Sequence, residues 1–152
     1  MSLFNDIRSG NLASVEATIA TDEAAVNRPD ERGFSPLVFA TYMQQNEIAS
    51  LLIDKGANID AQDNAGNTAV MGVCFKGYNQ LLELLIAKGA DVNIQNRTGS
   101  TALIFAATFG QLESAKLLIA AGAQKDTKDT NGLAAIDHAR QKGFQNIVDL
   151  LS

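Results

Sequence analysis

Aromatic residues, cysteine and proline are all scarce in this sequence of 152 residues, which has no tryptophan, 6% aromatic residues, one cysteine and two prolines. One cysteine excludes an intramolecular disulfide. One cysteine and one histidine are too few for a structural zinc site, which takes four such ligands. No apolar run reaches the roughly 18 residues that a membrane-spanning helix needs. With so few rings, the core of one domain of this length must be built from Ala, Leu, Ile and Val, which favours small, closely packed helices.

Dense positive charge is also lacking. The net charge is −5, from 10 acids and 4 bases in residues 1–63 and 7 acids and 8 bases in residues 64–152. Since phosphate backbones are bound through dense basic patches, we expect no nucleic acid and no membrane surface as partner. The N-terminus lacks the basic-then-apolar layout of a signal peptide, so we expect a soluble cytoplasmic chain; a periplasmic or secreted location would require a removed leader.

Residue types recur along the chain with a period of 33 positions, and such self-similarity is the signature of a repeat protein. Leu-Leu pairs fall at 51–52, 84–85, 117–118 and 150–151. Three glycine series share this spacing: Gly33, Gly66, Gly99 and Gly132; Gly56, Gly89 and Gly122; and Gly77, Gly110 and Gly143.

Each repeat carries the signals of a turn followed by two short helices. An acidic or amide residue three positions before a glycine, as at Asp30, predicts a type I turn. Ser35 and Thr101 follow such turns, where a hydroxyl accepts hydrogen bonds from the first turn of a helix. Glycine then ends each helix in the left-handed conformation. The segments 57–60 and 90–93, which feed the next turn, are expected to be extended.

A 33-residue unit that combines this turn, Ser35-Pro36-Leu37 at a helix start, Leu-Leu in the second helix and Gly-Ala-Asp-Val-Asn at 89–93 resembles the ankyrin repeat. The resemblance implies an all-α ankyrin-repeat solenoid of helix–turn–helix–hairpin units in a single domain, with four repeats and an N-terminal cap. The implied boundaries are an N-terminal capping repeat at 1–29, repeats at 30–62, 63–95 and 96–128, and a C-terminal capping repeat at 129–152.

The chain departs from the family pattern in two ways. The histidine that commonly follows Thr-Pro-Leu in the family is replaced in every repeat, by Val38, Met71, Ile104 and Asp137. Apolar packing must then replace the usual hydrogen-bond network, and the loss favours a small stand-alone protein of bacterial origin. Gly72 lies inside a predicted helix, where glycine costs about 1 kcal/mol relative to alanine. We expect Phe39 and Phe105, its counterparts in the flanking repeats, to lean into the vacant space.

Nothing in the sequence indicates catalysis, a metal or a cofactor. A nucleophilic cysteine needs a nearby base, yet Cys74 and His138 lie in different repeats. Cys74 takes the position of a small packed residue, which favours an inert core thiol. His138 is expected to be a satisfied residue of the last repeat. Glycines stand singly in turns, unlike a phosphate-binding loop.

The resemblance implies a binding surface at the hairpin tips and the exposed side of the first helices, where partners of the family lie against a concave face. Aromatic residues near arginine and lysine are typical of binding hot spots. Packing of the same rings between repeats is the competing interpretation. The expected partner-binding residues are Arg32, Phe34, Tyr42, Met43, Asn67, Phe75, Lys76, Arg97, Phe109 and Leu133.

The sequence therefore predicts a monomeric, non-catalytic module that binds another protein through this groove. A second interpretation is an accessory protein that supports an enzyme or protects against stress, possibly exported.

Overall fold

The computed structural model describes residues 2–152 and divides into two compact units, which run to Ala69 and from Val70. Within residues 2–152 there are ten α-helices, one 3₁₀ turn and no strand. This confirms the all-α fold class. None of these helices is long and apolar enough to cross a membrane.

Unit 1, which ends at Ala69, pairs its helices as successive hairpins. Helix α1 packs on α2 and α3 on α4, and between the hairpins α1 lies against α3 and α2 against α4. The elements are α1 (Leu3–Ser9), α2 (Leu12–Thr21), a 3₁₀ turn at Glu23–Asn27, α3 (Pro36–Tyr42) and α4 (Asn46–Asp54).

Unit 2, which begins at Val70, repeats this arrangement. The first helices of its repeats are α5, α7 and α9, and the second helices are α6, α8 and α10. Helix α7 packs against α8 and α9, while α8 lies against α6 and α10. The elements are α5 (Ala69–Lys76), α6 (Asn79–Ala87), α7 (Ala102–Thr108), α8 (Leu112–Ala120), α9 (Ala135–Lys142) and α10 (Gln145–Leu151).

The starts of the first helices follow the predicted capping pattern. The Ser35 hydroxyl accepts from the Val38 N–H at 3.1 Å, and the Thr101 hydroxyl accepts from the Ile104 N–H at 3.2 Å. Ala134 has no hydroxyl at the start of α9; there, the Asp137 carboxylate accepts from the Ala134 N–H at 2.9 Å. The last repeat thus keeps half of a capping box.

Left-handed residues end the first helices, as predicted from the glycine spacing. Gly77, Gly110 and Gly143 have φ of 75°, 72° and 78°. Gln44 takes the equivalent place in unit 1 with φ of 56°, and it is the one non-glycine residue between 2 and 152 with positive φ. An ordinary side chain pays a steric cost in this conformation that glycine does not.

The connections between repeats are tight turns. At the hairpin tip, one oxygen of Asp30 accepts from the N–H groups of Arg32 and Phe34 at 2.9 and 3.0 Å, as a type I turn with an acidic first residue requires. The expectation that segments 57–60 and 90–93 are extended is wrong, because residues 92–93 form a turn and so do residues 59–60. The Ala61 N–H donates to the Asn58 carbonyl at 3.2 Å, so the chain turns there instead.

Asparagine side chains join successive repeats within each unit. In unit 2, the Asn93 amide accepts from the Gln124 N–H at 2.8 Å and donates to the Gly122 carbonyl at 3.2 Å. Asn27 in unit 1 makes the same pair of bonds, with the Asn58 N–H and the Gly56 carbonyl. Each such side chain satisfies one carbonyl and one N–H group in the turn that follows the second helix of the next repeat.

The glycines at the ends of α5 and α7 also make room for the next repeat. A Cβ placed on Gly77 would lie 2.6 Å from the Gln111 side chain, and one on Gly110 would lie 2.9 Å from the Phe144 ring. Gln111 also donates from its amide to the Phe75 carbonyl at 3.2 Å. The end of one first helix is therefore covered by a side chain of the following repeat.

Candidate partner-binding surface

Two phenylalanine rings form an exposed cluster at the ends of α5 and α7 in unit 2. Phe75 is 43% exposed and Phe109 is 46% exposed. Their ring centroids lie 4.6 Å apart in an edge-to-face arrangement, which is a favoured geometry for aromatic pairs. The ammonium group of Lys76 lies 5.6 Å from the centroid of the Phe75 ring. Of the two interpretations, packing or exposure, these rings satisfy both in part, because they contact each other and still face solvent.

Phe105 is the residue of this cluster that the sequence analysis did not include. Its ring is half-buried and stacks with Phe109 at 6.3 Å between centroids. The available signal was the spacing of four positions between Phe105 and Phe109, which places both side chains on one helix face. The three rings of this aromatic cluster, Phe75, Phe105 and Phe109, support one another.

Gly72 leaves open space one turn before Phe75. Among residues 2–152, no heavy atom outside the adjacent backbone lies within 4 Å of the position that a Cβ would take. The expectation that Phe39 and Phe105 fill this space is therefore wrong. Phe105 packs on Phe109 instead, because an aromatic partner is available at the end of its own helix.

The hairpin tips of unit 2 contribute one charged and one apolar residue of the expected set. Arg97 is exposed at the tip that precedes α7. Leu133 is half-buried, and its N–H donates to the Asp129 carboxylate at 3.0 Å. Leu133 thus lies in a turn that the Asp129 side chain holds in place.

In unit 1, the expected residues lie in the turns at 30–34 and 63–67 and at the end of α3. Tyr42 is 59% exposed, and Met43 next to it is half-buried. The Arg32 guanidinium lies over the Phe34 ring, 4.9 Å from its centroid. Asn67 lies in the turn at residues 63–67, where its N–H donates to the Asp63 carboxylate at 2.9 Å. The Phe34 ring is thus partly covered by the Arg32 side chain.

Cys74 and His138 occupy the structural roles that the sequence favoured. The Cys74 side chain is fully buried, and burial raises the pKa of its thiol far above its usual range, which disfavours the thiolate that nucleophilic chemistry needs. The His138 ring is 18% exposed, and its Nε2 atom lies 2.7 Å from the Asp129 carboxylate. In the part of the chain that the structure describes, no three His, Cys, Asp or Glu side chains are grouped to hold a metal ion.

The Asp129 side chain is only 6% exposed, yet its environment favours the ionised form. Burial acts to raise the pKa of Asp129, but hydrogen bonds from Leu133, His138 and Asn131 outweigh it, and the pKa lies below its usual value. The Asp129 carboxylate therefore ties its hairpin to α9 through a charge-assisted contact.

Two overlapping segments, residues 3–96 and 69–152, match the family described as ankyrin repeats in three copies. No curated protein matches the chain significantly.

Proposed function

The chain belongs to the ankyrin repeat family, and from this premise we propose that it is a non-catalytic module that binds a partner protein through its hairpin tips and first helices. Proteins of this family generally act in protein–protein interaction. One observation supports the proposed surface most. In residues 2–152 the large hydrophobic side chains that are exposed are Tyr42, Phe75 and Phe109, and all three lie at the ends of first helices.

Preorganisation lowers the entropy cost of binding at this surface. Binding costs less conformational entropy when the contacting side chains are already held in place. The Phe109 ring is held between Phe75 and Phe105, and the Phe75 carbonyl is fixed by the Gln111 amide. A partner side chain laid on this cluster gains apolar contact without having to order the rings.

The remaining members of the proposed surface supply polar edges and additional apolar contact. Tyr42 adds exposed aromatic surface, and arginine side chains at the hairpin tips favour carboxylate-bearing partners. In unit 1 the proposed residues are Arg32, Phe34, Tyr42, Met43 and Asn67; in unit 2 they are Phe75, Lys76, Arg97, Phe109 and Leu133.

We also propose that residues 1–152 act as one monomeric domain, with capping repeats at 1–29 and 129–152. Repeat stacks need capping repeats with a polar outer face. A single unfolding transition by circular dichroism and a monomer mass by light scattering would support this proposal, whereas two separate transitions would contradict it.

Affinity capture from cell lysate tests the proposed function. Wild type is compared with Phe75→Ala/Phe109→Ala and with Glu113→Ala/Lys116→Ala, which removes an exposed ion pair of 3.3 Å on the second helix α8. All three proteins are first shown to fold alike by circular dichroism. A protein retained by wild type and by the α8 variant but lost from the phenylalanine variant supports the proposal. Equal recovery by all three contradicts the assigned surface.

A further inference from the structure

Charge is segregated between the two sets of helices in unit 2. The first helices α5, α7 and α9 carry three basic residues and one acidic residue, while the second helices α6, α8 and α10 carry one basic and three acidic residues. The charged residues of the first helices are Lys76, Arg140, Lys142 and Asp137; those of the second helices are Glu83, Glu113, Lys116 and Asp149. The near-neutral total charge of this half of the sequence conceals a positive layer and a negative layer.

The single acid of the positive layer is already engaged. Asp137 accepts from the Ala134 N–H at 2.9 Å and lies 3.8 Å from the Arg140 guanidinium. Lys76 and Lys142 occupy the positions 33 residues before and after Phe109, at the ends of α5 and α9. The register therefore places a lysine in the repeat on either side of Phe109.

The absence of a side chain at Gly72 leaves a gap on the same surface. Gly72 and Phe75 are three residues apart on α5, so they share one helix face. The open position at Gly72 leaves room beside the Phe75 ring for a side chain that this chain does not provide. An exposed glycine in a helix interior is unfavourable for stability, and close approach of a ligand is one of the roles that glycine serves.

We propose that unit 2 binds an acidic linear segment of a partner protein, which inserts one apolar side chain at Gly72 against the Phe75 ring and places its carboxylates toward Lys76 and Lys142. This inference rests on the proposed function and specifies the partner's chemistry. Apolar burial supplies the affinity, and the complementary charges favour acidic over basic segments and speed association.

Selection of random peptides displayed on phage against the full chain tests this inference. We expect the enriched peptides to carry net negative charge and a shared large apolar residue. Synthetic versions are then measured by fluorescence anisotropy. Phe109→Ala should weaken binding by about 30-fold or more, as hot-spot rings do. Lys76→Gln/Lys142→Gln should weaken binding several-fold at low salt and little at high salt, because salt screens exposed charges.

The Gly72→Leu variant separates binding from folding. Leucine favours the helix and enters open space, so the variant should be at least as stable as wild type, yet it should lower peptide affinity by about tenfold or more because it fills the proposed position of the anchor side chain. Ala120→Leu, at an exposed position on the second helix α8, is the matched control and should bind as wild type does.

Each other outcome counts against the inference. Enriched peptides that are neutral or basic, acidic peptides that bind Gly72→Leu normally, or no enrichment at all would overturn it. If neutral peptides still depend on Phe75 and Phe109, the proposed protein-binding surface stands without the acidic specificity. If neither peptides nor lysate proteins depend on these rings, both proposals fail.

Discussion

Alanine in place of Gly72 is expected to stabilise the protein by about 1 kcal/mol, the difference in helix propensity between the two residues. The position lies inside α5, its φ is not positive, and a Cβ there meets no atom of the described residues within 4 Å beyond its chain neighbours and the local helix backbone. The added methyl group therefore brings neither strain nor a clash. It removes conformational freedom from the unfolded chain, which is where much of the gain arises.

The same substitution at Gly77, five residues later, is expected to have the opposite sign. Gly77 has φ of 75°, and left-handed backbone costs an alanine about 1–2 kcal/mol. A Cβ there would lie 2.6 Å from Gln111, whose displacement would strain its hydrogen bond to the Phe75 carbonyl, worth about 1 kcal/mol. After an offset of about 0.4–1 kcal/mol from the unfolded chain, Gly77→Ala should destabilise by about 1–2 kcal/mol.

Urea denaturation followed by circular dichroism measures both changes in the free energy of unfolding. In thermal denaturation, a change of 1 kcal/mol in the free energy of unfolding of a chain of this length shifts Tm by about 2–4 °C. A Gly72→Ala protein that is less stable than wild type would refute the argument, because it would mean that the Cβ position is occupied. If both variants change stability in the same direction, backbone conformation is not what distinguishes the two glycines.

Three further predictions concern single residues. Asn93→Ala removes two hydrogen bonds to the next repeat and should destabilise the protein by about 1–2 kcal/mol in urea denaturation; an unchanged midpoint would contradict this. Gln44→Gly should raise Tm because it relieves positive φ at a net gain of about 0.5–1 kcal/mol, and a lower Tm would show that the side chain contributes more than its strain costs. Because the pKa of Asp129 is lowered on folding, its ionised form stabilises the fold above about pH 4 and this contribution is lost as the pH falls through the folded-state pKa. In acid titrations, Asp129→Asn should therefore be less stable than wild type at neutral pH but converge with it in acid; a constant difference would contradict the assignment.

The 33-residue period and the capping residues were sufficient to predict the helices of the repeats. The hydroxyls of Ser35 and Thr101 and the glycine at 77 act on the adjacent backbone, so their effect is local and visible in the sequence. The segment at 57–60 was predicted wrongly because its turn depends on a carbonyl of Asn58, whose side chain also accepts from the Asp60 N–H. A short stretch with such local acceptors turns rather than extends.

The candidate surface was predictable in outline but not in detail. Register alone places Phe75 and Phe109 at the ends of neighbouring first helices. It does not show that Phe105 stacks on Phe109 instead of filling the space at Gly72, because the choice between the two depends on side-chain rotamers. Likewise, the chain-wide charge does not reveal that basic and acidic residues separate onto different helices of unit 2.

The glycine that lies beneath a covering side chain also affects how a repeat can be added to such a chain. The covering residue differs between these two junctions, Gln111 over Gly77 and Phe144 over Gly110, while the covered residue is glycine in both. Either an amide or an aromatic side chain fits over the glycine, whereas a side chain on the glycine itself would clash with the covering residue. A further repeat added at such an end therefore demands little of its covering residue and more of the residue that it covers.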